Sequence, residues 1–212
     1  MRIKSLMSIG ASCGSLFFMK GLGLRIPGPV DNLDAYDITQ CIKLLNGDFY
    51  NSIINKTYHF ADKNIDNEDY PYCFFDGFGM IHNDFRQEKT QKELLKRYNR
   101  FLQYLEEAKS DKEMFFVLSH NCQDINLNDN NISYMLNNIP QYIKDRLIII
   151  GEIWLDCGVD PYKFPNIPNY PQYFVDISIL RNYNTDLLKE DFKKWWIENK
   201  SFYEEKNNCT YE

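Results

Sequence analysis

The stretch Ile3–Gly14, IKSLMSIGASCG, decides how the chain is read. Ile3, Leu6, Met7 and Ile9 suit a sheet interior and Gly10 then releases the backbone, so Ile3 to Ile9 reads as a buried strand. The following GSLFFMKGLGLR (residues 14–25) places Leu16, Phe17, Met19 and Lys20 at the start of a short helix that Gly21 and Gly23 terminate. Cys13 stands between the two. There it meets unpaired backbone N–H groups and the positive end of the helix dipole, which lower a thiol pKa and favour the thiolate. On position alone Cys13 also fits the commonest role of a free cysteine, a small buried hydrophobe.

Working outward, LRIPGPVDNLDAYDITQCIKLLNGDF reads as an extended loop entering a helix. Pro27 and Pro29 hold the loop, Asp37 is the candidate N-cap, and Ile38, Cys41, Ile42 and Leu45 share one face up to Gly47. Residues from about 49 to 85 mix aromatics with turns and read as two or three short strands or loops, an insertion wrapped over the sheet edge. Arg86 to Lys109 is strongly helical, with Leu94, Leu95, Tyr98, Phe101, Leu102 and Leu105 at three- and four-residue spacing. MFFVL (114–118), RLIIIGEI (146–153) and YFVDISI (173–179) read as interior strands, with a looser helix from Ile132 to Ile143 interrupted by Pro140. Thr185 or Asp186 can cap a last helix carrying Leu187, Leu188, Phe192, Trp195 and Trp196, after which the tail from about Glu204 is expected to fray.

Strands apolar throughout that alternate with helices imply a mainly parallel sheet covered on both sides. The expected fold is therefore α/β, a three-layer sandwich of Rossmann-like kind, with active groups collected at the carboxyl ends of the strands. Cys13, His120 and Glu152 all fall near such ends. A helical lobe facing a β-barrel lobe, the two-lobed papain arrangement, does not fit this pattern.

The 212 residues, 44% hydrophobic and 16% aromatic, can bury one substantial core, which favours a single domain over residues 1–212. A net charge of −6 argues against nucleic-acid or anionic-membrane binding through bulk charge, and no run has the length of a membrane-spanning helix. The six cysteines form no Cys-x-x-Cys pair, so no metal site is indicated and free thiols in a reducing, cytoplasmic compartment fit best. A rival reading of Ser5 to Met19 as the core of a secretory leader is weakened by four serines, two glycines and the lack of a small-x-small cleavage site.

Several short motifs follow one another along the first half of the chain: SIGASC ending at Cys13, GLR at Gly23–Arg25, PVDNL at Pro29–Leu33, HNDF at His82–Phe85, and KRYNRF at Lys96–Phe101. In that order, over about Met7 to Phe116, they resemble the papain-like cysteine peptidases described from bacteria and some large viruses, a family named for an inferred activity. Val30 and Asn32 stand where an aromatic would be expected on each side of Asp31, and Asn83 separates His82 from Asp84. These departures bear on the shape of a pocket more than on the nucleophile. The resemblance implies Cys13 as nucleophile and favours His82 as its partner.

A cysteine nucleophile needs a base or imidazolium partner, a group to orient that partner, and donors for the developing oxyanion. Of the three histidines, His120 is favoured by topology because it ends the strand MFFVL, whereas His59 has no acidic motif beside it. Asp84 or Asp31 would orient the imidazole, although an Asp beside prolines also commonly caps a turn. The N–H groups of Ala11 to Gly14, with Ser12 among them, would form the oxyanion hole. The expected chemistry is acyl transfer through a thioester on Cys13, to water in a peptidase-like hydrolase acting on a small-molecule, peptide or glycan substrate.

Transfer to a cell-surface polysaccharide or glycan precursor is the alternative. In that case coenzyme A is a candidate donor and Arg25, Arg97 and Arg100 are candidate phosphate ligands, although charges on a helix such as Lys96–Phe101 are more commonly a solvated face. A hydrolase needs no cofactor. A different class again, a non-catalytic nucleotide-sugar or partner-binding module, would use the same first turn or the aromatic loop Tyr70 to Phe85, but neither G-x-G-x-x-G nor G-K-[ST] is present at Gly10 to Ser15.

Overall fold

The computed structural model of the protein describes residues 2–10, 14–35, 39–61, 73–75, 78–80, 84–121, 129–153, 167, 169–176 and 185–211, with side chains at all of these except 31–35, 75, 80, 121 and 129. The opening strand β1 spans Ser5–Gly10 and is buried along its length. It begins two residues later than the apolar pattern predicts because its pairing starts at Ser5, opposite Met114. Helix α1 (Gly14–Leu22) starts directly after Cys13 and runs through Gly21, ending before Gly23, whose φ of +74° breaks it.

The loop that follows is more regular than expected. It contains a 3-10 turn at Pro29–Asn32 and a short strand β2 at Leu33–Ala35. Helix α2 (Gln40–Asn46) closes at Gly47 in the left-handed conformation, φ +90°, as the glycine predicts. Asp37, its expected cap, lies outside the described residues; the helix begins after Thr39. The 49–85 region holds three short strands, within the two or three expected, and departs from expectation at its start. It opens with a helix, α3 (Asp48–Ile54), which buries Phe49 and Ile53 one turn apart. Its strands β3 (His59–Phe60), β4 (Cys73–Phe75) and β5 (Phe78–Met80) join β2 in a separate antiparallel sheet, order β2-β5-β4-β3.

The second half follows the pattern closely. Helix α4 (Glu88–Ala108) is followed by β6 (Met114–Asn121). Pro140 splits the next helix into α5 (Asp129–Asn138) and α6 (Gln141–Lys144), because proline cannot donate within a helix. Strands β7 (Leu147–Ile153) and β8 (Gln172–Asp176) and helix α7 (Thr185–Asn207) complete the described fold.

Strands β1, β6, β7 and β8 form one sheet in that order, every neighbouring pair parallel. The order steps in one direction without reversal. Alternate residues face opposite sides. Met7, Phe116, Leu118, Leu147 and Ile149 enter a core with α2, α3, α4 and α5, while Leu6, Phe115, Val117, Ile148 and Ile150 enter a second core with α1 and α7. The protein is thus a mixed α/β structure whose parallel sheet is flanked by helices. Each fully buried Ile or Phe in these cores contributes about 1.5–3 kcal/mol relative to an exposed one.

The tail expected to fray beyond Glu204 is ordered as far as Tyr211. Helix α7 runs on to Asn207, and the chain then turns so that the Tyr211 ring packs edge-on against Phe115 and Trp196. Its hydroxyl donates to the Lys112 carbonyl at 2.9 Å and its N–H to Glu204 at 2.8 Å. A buried aromatic with a satisfied hydroxyl outweighs the fraying tendency of a polar terminus. No helix among the described residues is long and apolar enough to cross a membrane.

Candidate functional site

Seven polar or charged side chains are buried among the described residues, and five of them, Ser8, Ser15, Ser119, His120 and Glu152, gather at the carboxyl ends of β1, β6 and β7 or in the first turn of α1. The other two are at the opposite end of the sheet, where Arg146 and Ser5 bind backbone and Tyr104. Burying polar groups is costly unless they are hydrogen-bonded, so a concentration of them at one sheet edge marks that edge as special.

The start of α1 is tied down twice. The hydroxyls of Ser8, near the end of β1, and Ser15, in the first turn of α1, share a hydrogen bond of 2.8 Å. One residue earlier, the Glu152 carboxyl group from the end of β7 lies so close to Gly14 that a Cβ placed there would collide with it. Strand β6 runs between β1 and β7, so the helix start lies across three strand ends. The pairing of β1 with β6 also slips here: Ser8 faces Val117 and Gly10 faces Leu118, leaving Ile9 as a bulge. Gly10 adopts φ +136°, a conformation that side chains resist. Bulges at sheet ends re-aim the chain, and they recur beside active sites.

His120 pairs with Gly151 and Asn121 with Glu152, so His120 and Glu152 leave the sheet on opposite faces. Glu152 faces α1, whereas His120 shares its face with Leu118 and the α4 side of the core. The imidazole Cε1 would stand 3.6 Å from a Cβ on Gly151. Burial pushes its pKa down to about 4, against a smaller upward pull from the Gln172 side chain. His120 is therefore neutral at pH 7.

Of the other residues singled out from the sequence, Cys13, Ser12 and His82 lie outside the described residues, as does the side chain of Asp31, whose backbone is in the 3-10 turn. Gly14, expected to offer its N–H to an oxyanion, has the Glu152 carboxyl packed against it. Asp84 accepts from Arg86 through both oxygens, at 2.8 and 3.0 Å, and this guanidinium holds its carboxyl below the usual range. That carboxylate serves the entry to α4. Arg25 runs beside Leu6 along the outer edge of β1, Arg100 donates to the Pro27 carbonyl at 3.2 Å, and Arg97 pairs with Glu93 one turn back. These contacts tie the three cations to the flank of β1 and the surface of α4. His59 is exposed on β3.

Glu152 was visible at a strand end in the sequence yet had no role assigned to it, and Ser8, Ser15 and Ser119 were missed. The signal for Glu152 was its charge inside RLIIIGEI, a strand otherwise apolar enough to be buried. No family model, no curated protein and no solved structure matches the chain.

Proposed function

We propose that the protein is a thiol-dependent acyl-transfer enzyme, a hydrolase of the cysteine-peptidase kind, with Cys13 as nucleophile and His120 as its base, built on a three-layer Rossmann-like sandwich. The observation that carries this reading is the cluster of buried polar side chains at the strand ends around the first turn of α1, the turn that Cys13 directly precedes. His120 is preferred over His82 because it ends β6, the strand next to β1. The ordered motifs shared with papain-like cysteine peptidases support the choice of nucleophile.

In this reading the Cys13 thiol gives its proton to the His120 imidazole as sulfur attacks the acyl carbonyl. The tetrahedral oxyanion collapses to a thioester, and the leaving group departs with the proton from the imidazolium. Water then attacks the thioester, returning the thiol and releasing the acid.

Intact-mass analysis after exposure to an activated ester, and separately to acetyl-coenzyme A, tests the proposal. The expected result is a single acyl adduct that maps to Cys13, is absent from Cys13→Ala, and forms about 10²–10⁴ times more slowly in His120→Gln than in His82→Ala. An adduct that persists in Cys13→Ala overturns it. Acyl loss to water identifies a hydrolase, and loss only when a glycan acceptor is added identifies a transferase.

A further inference from the structure

We propose that the cleft between α5, α6 and the turn entering β8 is a binding site for a small aliphatic carboxylate, with Lys144 as its anion ligand. The cleft is separate from the buried polar cluster. Lys144 ends α6, three residues before β7 begins at Leu147, and Tyr170 stands two residues before β8 begins at Gln172. Both are therefore at the amino ends of the strands, whereas the cluster gathers at carboxyl ends, and the inference does not depend on the acyl-transfer reading.

The chain builds the cleft from two sides. Ile132 and Leu136 lie one turn apart on α5, so they share a face and supply one apolar wall. Across from them, the Tyr170 N–H donates to the Ile167 carbonyl at 3.3 Å, closing a turn in which Asn169 has φ +66°, a left-handed conformation that asparagine tolerates better than most residues. Ile167 is buried and continues the apolar wall, while Tyr170 is half-buried at the cleft. The enclosed space is about 300 Å³, at the lower end of pockets that hold small organic ligands.

Lys144 is the one charged side chain among the described residues that line this space. Neither its ammonium, nor the Asn137 amide, nor the Tyr170 hydroxyl has a hydrogen-bond or ion-pair partner among the described residues. The neighbouring Asp145 carboxylate is engaged by Gln141 at 2.7 Å. Burial pushes the Tyr170 hydroxyl up to about 12, so it stays neutral and able to donate. An ammonium at the rim of an apolar wall is matched by a carboxylate on an apolar chain: the chain covers Ile132, Leu136 and Ile167, and the charge meets Lys144 in a charge-assisted hydrogen bond. Past Tyr170 the cleft widens to a second space of about 760 Å³, where Phe202 meets the Tyr170 ring at 5.6 Å. There Lys206 lies over the Phe202 ring at 5.0 Å and Glu205 lines the same space, so the two charges offset and the wider half does not select an anion.

Isothermal titration calorimetry of the full chain with sodium hexanoate, and with hexan-1-ol as its neutral counterpart, tests the proposal. Saturable binding of one hexanoate per chain is expected, with hexan-1-ol about tenfold weaker or more, because it lacks the charge that Lys144 meets. Lys144→Gln is expected to weaken hexanoate by a similar factor, and Lys206→Gln to leave it unchanged. The alcohol comparison uses the wild-type protein and stands whether or not the variants fold. Heats that do not saturate by about 10 mM hexanoate overturn the proposal, since a site of this size with a matched charge should fill in the millimolar range. So does hexan-1-ol binding as tightly as hexanoate, or a folded Lys144→Gln that binds hexanoate like wild type. Equal weakening in Lys206→Gln overturns the placement at Lys144.

Discussion

The carboxyl group of Glu152 occupies the space that a side chain on Gly14 would need. Gly151 presents a similar case, because a Cβ there would lie 2.5 Å from Cδ1 of Phe174. The two differ in what can give way. Glu152 is fully buried, whereas Phe174 is 41% exposed and its ring can swing toward solvent. Gly14→Ala is therefore expected to destabilise by about 2–4 kcal/mol and Gly151→Ala by about 1 kcal/mol or less. Urea denaturation of both variants checks the order, and Gly14→Ala combined with Glu152→Ala should recover part of the Gly14→Ala loss. Equal costs at the two positions would mean that the Glu152 side chain moves aside.

These glycines show where the sequence was readable. The parallel sheet was legible because MFFVL and RLIIIGEI are apolar on both faces, which only a doubly covered strand requires. Helix α4, expected over 86–109 and found over Glu88–Ala108, was legible because its apolar stripe repeats from Leu94 to Leu105, about three turns. Short strands were expected over 49–85, but β2, the strand bounds and the pairing into a second, antiparallel sheet were not legible, since β2, β3, β4 and β5 are two or three residues long, shorter than any period can register. Helix α3 was hidden by its length: with seven residues, Phe49 and Ile53 give one repeat only. At the site, the chain position of Cys13 and the strand-end position of His120 could be read directly. The link from Gly14 to Glu152 could not, because it joins residues 138 positions apart through a crossover order that local pattern does not encode.

Arg146 illustrates a buried charge with a structural task. Its guanidinium donates to the carbonyls of Ala108, Asp111, Met114 and Tyr142, closing the end of α4 and the turn into β6. Burial lowers its pKa, yet the planar fork matches several acceptors at once. Arg146→Ala leaves those carbonyls buried without a donor and is expected to cost about 3–5 kcal/mol in thermal or urea unfolding. Arg146→Lys should recover only a fraction, since one ammonium on a flexible stem cannot reach all four. A lysine variant as stable as wild type would show that charge, and not the fork, is what α4 needs.

His120 ties stability to pH in a direction opposite to that of a salt-bridged histidine. In the unfolded chain its imidazole takes up a proton below about pH 6.5. In the folded protein burial delays protonation until pH falls to about 4. Between these values the unfolded state binds more protons, so the folded state loses stability as pH drops through the window and regains it as pH rises, reaching its full value above about 6.5. The loss attributable to this one residue is about 3 kcal/mol at the acid end. Replacing His120 by Gln removes the titration while keeping a polar side chain. The variant is expected to show a flatter dependence of unfolding free energy on pH between 4 and 6.5, whatever its stability at pH 7. Urea denaturation at half-unit steps across that range measures the slope difference directly. Parallel curves for the variant and the wild type would mean that the imidazole is solvated in the folded protein and is not the neutral base on which the acyl-transfer reading depends.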